Sequence, residues 1–230
     1  MAIAYVNGVG NYQSASATTI AAPAANHTTG NLLVVFVGMY GNSVTVSSIA
    51  DTAGNTYTYV TRKVGTYNTI ECWYAKNITG NTNNVVTATF GGSIDDRTIT
   101  VDQYSGCDTT APLDQYNTGT GDSNTPTTGD ITTTAANEVL VAGVYNCYFY
   151  PSTITAGTNY TLRTLTDPAP SYGASEDRIV SATGTYNATF SLDIARDWVS
   201  IVASFKAVAV AGPAAVGSSM AAKMMAAGVL

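Results

Sequence analysis

The chain has 230 residues, of which 45% are apolar and only 10% charged, with a net charge of −6. That length can bury a sizeable core within one all-β domain. Nine basic residues without a cluster argue against phosphate neutralisation on nucleic acid or docking on an anionic bilayer, and no run of about 18 apolar residues could cross a membrane as a helix.

In chain order, Met1 to Gly8 carries neither a basic leader nor a long apolar stretch, so no secretory signal is expected. Asn26-His27-Thr28-Thr29-Gly30 reads as a turn that holds the sole histidine. Leu32 to Val37 is an unbroken apolar run of strand length, which predicts a central strand buried on both faces. Asp51-Thr52-Ala53-Gly54-Asn55 is a turn, as is Asp108 to Asp114. Both offer oxygen ligands for calcium without the EF-hand spacing, so a turn is the preferred reading of each.

Thr56 to Val60 and Ile70 to Ala75 read as strands. Asn84 to Phe90 alternates with Val86, Ala88 and Phe90 on one face, and Thr98 to Tyr104 follows with Ile99 and Val101 on one face. Ser105 to Gly129 is rich in Thr, Asp, Gly and Asn and reads as a long connection. Strands then resume at Glu138 to Tyr145, Tyr160 to Leu165, Arg178 to Ala182, Tyr186 to Leu192 and Trp198 to Phe205.

The two series match in order. Thr28 to Val35 corresponds to Thr134 to Val141, Ala53 to Thr58 to Ala156 to Thr161, Glu71 to Glu176, Ala88-Thr89-Phe90 to Ala188-Thr189-Phe190, and Tyr104 to Phe205. Five elements in one order indicate an internal duplication. The expected fold is an all-β, antiparallel, jelly-roll-like two-sheet sandwich over residues 1–206. Its halves lie at about 18–104 and 127–206, each covering the apolar face of the other. Residues 207–230 form a separate tail, extended or briefly helical, with Met220, Met224 and Met225 on one side of such a helix.

Catalytic chemistry finds little support. No GxSxG elbow accompanies His27, and the acid pairs Asp95-Asp96 and Glu176-Asp177 are adjacent, so on a strand their side chains diverge. Each pair precedes an arginine, Arg97 or Arg178, and reads as turn acids with a counter-charge. Cys72, Cys107 and Cys147 lack metal spacing and read as buried thiols. No cofactor and no metal is expected. The residues singled out for partner contact are Tyr145, Tyr148, Phe149 and Tyr150 in the densest aromatic cluster, and Met220, Met224, Met225 and Leu230 in the tail.

Several segments resemble bacterial and tailed-phage β-sandwich proteins: Met1-Ala2-Ile3-Ala4-Tyr5, Gly30-Asn31-Leu32-Leu33-Val34, Asp51 to Tyr57, Trp73 to Ile78, and Tyr104-Ser105-Gly106-Cys107-Asp108. The resemblance covers roughly residues 1–206. It implies a virion-surface component of the head-decoration (cement) or fibre kind, with no catalytic residues to carry over. The expectation is a non-enzymatic homo-oligomer, with a trimer as one form, that binds the major capsid protein or neighbouring subunits. A glycan-binding module and an extracellular filament subunit remain as alternatives, without nucleic-acid or membrane partners.

Overall fold

The structure is a computed structural model that describes residues 2–146, 151–167 and 171–209. Its strands are, in order, β1 (Ala4–Gln13), β2 (Ala17–Ala21), β3 (Ala25–His27), β4 (Leu32–Tyr40), β5 (Val46–Asp51), β6 (Thr58–Val64), β7 (Asn68–Ala75), β8 (Asn81–Asn84), β9 (Val86–Ile94) and β10 (Arg97–Ser105). The second series comprises β11 (Leu113–Ser123), β12 (Ile131–Thr132), β13 (Glu138–Asn146), β14 (Ile154–Ala156), β15 (Thr161–Leu165), β16 (Gly173–Val180), β17 (Thr185–Tyr186), β18 (Phe190–Leu192) and β19 (Arg196–Lys206).

Two antiparallel five-stranded sheets share one strand order, β1-β10-β4-β7-β6 and β11-β19-β13-β16-β15, as a duplication requires. They pack face to face. Leu32, Val34 and Phe36 of β4 meet Val139, Val141 and Tyr145 of β13 in one central core, joined by Val199, Ile201, Ala203 and Phe205 of β19. The alternate side chains of the same strands point outward, where smaller sheets cover them. Leu33, Val35 and Val37 pack with Ile20, Ile49, Ala88 and Phe90 of the outer strands β2, β5 and β9. Leu140, Ala142 and Val144 pack with Ile154, Phe190 and Leu192 of β14 and β18. The body is therefore four layers deep where two were expected. This is why β4 and β13 are apolar at nearly every position: each has a core on both faces.

The stretch Ser105 to Gly129, expected as a connection, contains the eleven-residue strand β11. It is an edge strand, so it needs no apolar run. Its glycines admit close neighbours: a Cβ on Gly119 would lie 1.7 Å from the Thr127 carbonyl oxygen, and one on Gly121 2.8 Å from the Trp198 ring.

The register of the repeat also differs from the sequence match. Edge strands β6 and β15 each carry a bulge, between Tyr59 and Thr61 and between Leu162 and Thr164. β1 and β11 each carry one at their first paired residues. Aligning the bulges makes Phe36 the counterpart of Gly143, Gly38 of Tyr145, Tyr104 of Phe205 and Asp102 of Ala203. The sequence match had set Leu33 against Val139, yet Leu33 faces the outer core and Val139 the central one. A slip of one residue exchanges the faces of a strand. Glu71 likewise corresponds to Ala174, and Glu176 to Trp73.

At the centre, rings enter glycine gaps. A Cβ on Gly143 would sit 2.4 Å from the Phe36 ring, and one on Gly38 2.6 Å from the Tyr145 ring. Phe36→Gly should therefore open a cavity costing at least about 3 kcal/mol, and Gly143→Phe alone should collide with Phe36. The double swap returns one ring to the site, so urea denaturation should show the pair of changes less damaging than their sum, by about 1–3 kcal/mol.

Candidate functional site

The central core has two flanks that occupy corresponding places in the duplication. On one flank β19 faces β7 and β6; on the other β10 faces β16 and β15. The first is apolar. β19 presents Val199, Ile201, Ala203 and Phe205 to Val60, Ile70, Cys72 and Tyr74, and the Tyr74 and Phe205 rings meet edge-on at 5.6 Å. At the corresponding positions the second flank is polar. β10 presents Thr98, Thr100, Asp102 and Tyr104, and facing them are Gly173, Ser175 and Asp177 of β16 with Arg163 of β15.

Asp102 is fully buried and Asp177 is 2% exposed. Thr164 donates its hydroxyl to Asp102 Oδ1 at 2.7 Å, tying β15 of the second half to β10 of the first. Arg163 Nε donates to Asp177 Oδ1 at 2.9 Å, and the same guanidinium lies over the Tyr5 ring at 4.2 Å. The Tyr104 hydroxyl sits beside Asp177 without reaching hydrogen-bond geometry, and Asp177 Oδ2 has no partner. Burial pushes the Asp102 carboxyl up to about 6 against the pull of Ser175 and Thr164, and the nearby Asp177 adds to the rise. Burial also raises Asp177, with Arg163 opposing.

Buried ion pairs often stabilise less than well-packed apolar residues of similar volume. Here the chain itself shows that an apolar set fits the same backbone, because the other flank carries it. The polar set is thus not what the architecture demands, and this flank is the candidate site. A cleft of about 450 Å³ opens beside it, lined by Asn159, Thr161, Arg163, Asp177, Arg178 and Ile179. Asn159 holds a left-handed φ of 67° at the turn into β15.

The opposite flank shows a second feature at its surface. Edge strands β6 and β11, with the turn after β6, carry Tyr59, Val64, Tyr67 and Tyr116, all exposed. The Tyr59 ring stands edge-on to Trp73 at 5.2 Å, and Arg62 lies beside it, 3.8 Å from Glu71. Tyrosine and arginine are side chains that contact surfaces favour.

Of the eight residues expected at partner contacts, the structure describes one. Tyr145, expected at a contact, is fully buried in the central core, and its hydroxyl donates to the Asp96 carbonyl at 2.9 Å. Tyr148, Phe149, Tyr150, Met220, Met224, Met225 and Leu230 lie outside the described residues, as does Cys147. Cys72 and Cys107 are buried thiols, as expected. His27 is not in a turn. It ends β3, buried, where Asn84 Nδ2 donates to its Nδ1 at 3.0 Å; Asn84 Oδ1 is engaged by Thr52 and Ala53, which fixes the amide's orientation. Burial lowers the His27 imidazole despite the pull of Asp51.

The Asp51 carboxylate is engaged by donors from its own loop and from β8. Oδ1 accepts the Asn55 N–H, and Oδ2 accepts from Asn55 Nδ2, the Tyr57 hydroxyl and Asn84 Nδ2, all within 2.9 Å. Asp108 Oδ1 similarly accepts the Thr110 and Ala111 N–H groups. Glu176 and Asp177 diverge to opposite faces as expected, but on strand β16 and buried, not in a turn. Glu176 accepts the Gly157 N–H at 2.8 Å, and the partner of Asp177 is Arg163 rather than Arg178. Comparison with protein-family models, curated proteins and solved structures finds no match.

Burial also pushes Glu138 up to about 7 and Glu176 up to about 8. Each of these acids keeps its proton in the fold at a pH where the unfolded chain has lost it, so stability falls as pH rises. For Asp102 the fall runs from the ordinary 3.8 to about 6; Glu138 and Glu176 carry it on toward 8. Thermal unfolding should therefore give a Tm higher at pH 5 than at pH 8, by on the order of 5 °C. Asp102→Asn should flatten the part below pH 6.

Proposed function

We propose that this chain is a non-enzymatic structural protein of a virion, a head-decoration protein that binds the major capsid protein and steadies the shell. The observation that carries the reading is the exposure of Tyr59, Val64 and Tyr116 on the neighbouring edge strands β6 and β11, with Tyr67 exposed in the turn after β6. Large apolar and tyrosine side chains left exposed on neighbouring elements of a folded body suit a contact surface. The four-layer body gives it a rigid base, since Tyr59 stands on Trp73 and Trp73 Nε1 is tied to the buried Glu71 at 3.0 Å. Bulges in β6 and β11, and Arg62 and Lys63 on β6, discourage open-ended strand pairing. That favours a closed assembly or a flat contact over a growing filament. The resemblance to phage β-sandwich proteins supports the virion setting, and the tail beyond Ala209 is a second arm for reaching a subunit.

Purified chain added to heads that lack it should co-sediment with them. Tyr59→Ser with Tyr116→Ser should weaken that binding at least about ten-fold, the effect of losing one contact anchor, with the Tm unchanged within a few degrees. A chain ending at residue 209 should fold and fail to bind. Undiminished binding by both variants would overturn the reading.

A further inference from the structure

We infer that a groove at one end of the body, between the start of β1 and the ends of β16 and β19, is the docking site of the chain's own segment 210–216. This goes beyond the capsid-contact reading and does not depend on it.

The groove has a volume of about 780 Å³, and its walls are mostly small or aliphatic: Ala2, Ile3, Ala135, Ala136, Ile179 and Val208. Its two charged linings, Asp108 and Lys206, have opposite signs. Ile179 is 49% exposed and Val208 38%, so two large apolar side chains stand open along it. The duplication shows how the first half treats the corresponding place. Carried to this end of the sheets, the bulge-aligned register matches Ile179 with Lys76 and Val208 with Cys107. Counting back from Tyr5 and Leu113, it matches Ala2 with Thr110. Asn137 and Gly30 are counterparts here as well, and both hold a left-handed φ, 60° and 86°. In the first half the chain leaving β10 closes the place over. Lys76 Nζ donates to the Thr110 carbonyl, Asp108 Oδ1 accepts the Thr110 and Ala111 N–H groups, and Cys107 is only 5% exposed. In the second half Ile179 and Ala2 face an open groove instead.

The chain leaving β19 is the fitting occupant. It sets out as its counterpart does, for residues 106–108 and 206–208 pair antiparallel. Asp108 N–H donates to the Lys206 carbonyl at 2.8 Å and Val208 N–H to the Gly106 carbonyl at 2.9 Å. Ala209 lines the groove and Val210 follows it, so the segment is tethered at the wall. A tether that short raises the effective concentration to the millimolar range. Residues 210–216 read Val-Ala-Gly-Pro-Ala-Ala-Val, without a charge, and such small side chains suit a groove walled by alanines. Pro213 falls where the first half has Pro112, at the spacing that separates Phe205 from Tyr104. Docking takes the apolar surface of Ile179 and Val208 out of water. The arm that reaches a subunit then begins after Val216.

The full chain carrying the photo-crosslinker benzoylphenylalanine in place of Ala214 should, on irradiation, join that position to residues 2–3, 135–137 or 179, as read by mass spectrometry of the digest. In an equal mixture of isotope-labelled and unlabelled chain, unfolded and refolded together, the joined peptides should carry one label, because the segment docks on its own body. Ile179→Ser should lower the Tm of the full chain by about 2–4 °C more than it lowers that of a chain ending at residue 209. Cross-links that miss the groove, cross-links between labelled and unlabelled chains, or equal losses of Tm in the two lengths would each overturn the assignment.

Discussion

Two ring-into-glycine contacts hold the centre of this protein. Phe36 of β4 fills the space that a side chain at position 143 would need, and Tyr145 of β13 does the same at position 38. Both contacts join corresponding positions of the two halves. Two identical halves would set ring against ring at one level and glycine against glycine at the next. The first overpacks and the second leaves a void, and cores tolerate neither. A duplicated chain escapes this because its copies can diverge. Each ring is then buried against backbone, and the two five-stranded sheets close on one another at the spacing such packing requires. The flanks, the edges and the outer sheets take their places from that contact.

Once the centre is interlocked, the two flanks are free to differ. One became an ordinary core of Val, Ile, Ala, Phe and Tyr. The other kept or acquired two carboxylates, an arginine, a buried phenol and several hydroxyls. Desolvating these groups is costly, and the raised Asp102 carboxyl is the direct sign of it. The expense is tolerable because the apolar flank and both outer cores carry the stability. A pair of corresponding flanks in one chain also serves as an internal control, separating what the fold requires from what this particular surface does.

The outer layers fasten to the central sheets by buried acids rather than by sequence-equivalent ones. Glu71 accepts the Val46 N–H of β5, and Glu176 accepts the Gly157 N–H next to β14. Both reach from a central sheet to the sheet that covers it, yet they are not counterparts. The same task was met twice from neighbouring positions, as expected when only the outward direction of a side chain is constrained.

The sequence alone determined the all-β class, the paired series of strands, the double burial of Leu32 to Val37, the faces of Val86, Ala88 and Phe90, and the burial of Cys72 and Cys107. These follow from local patterns: period two, apolar run length and turn residues. Only the tertiary structure decided the register of the repeat, because alternation says that faces differ and not which core each one meets. It alone revealed β11, since an edge strand with glycines pressed against neighbours has no apolar signature. It put Tyr145, singled out for partner contact, in the centre, where Gly38 makes room for its ring. It also assembled Asp102, Arg163 and Asp177, of which the sequence singled out only Asp177, as half of an adjacent acid pair. Their significance lies in a shared flank and in the apolar residues at the corresponding positions, a relation that exists only once two distant strands are laid face to face.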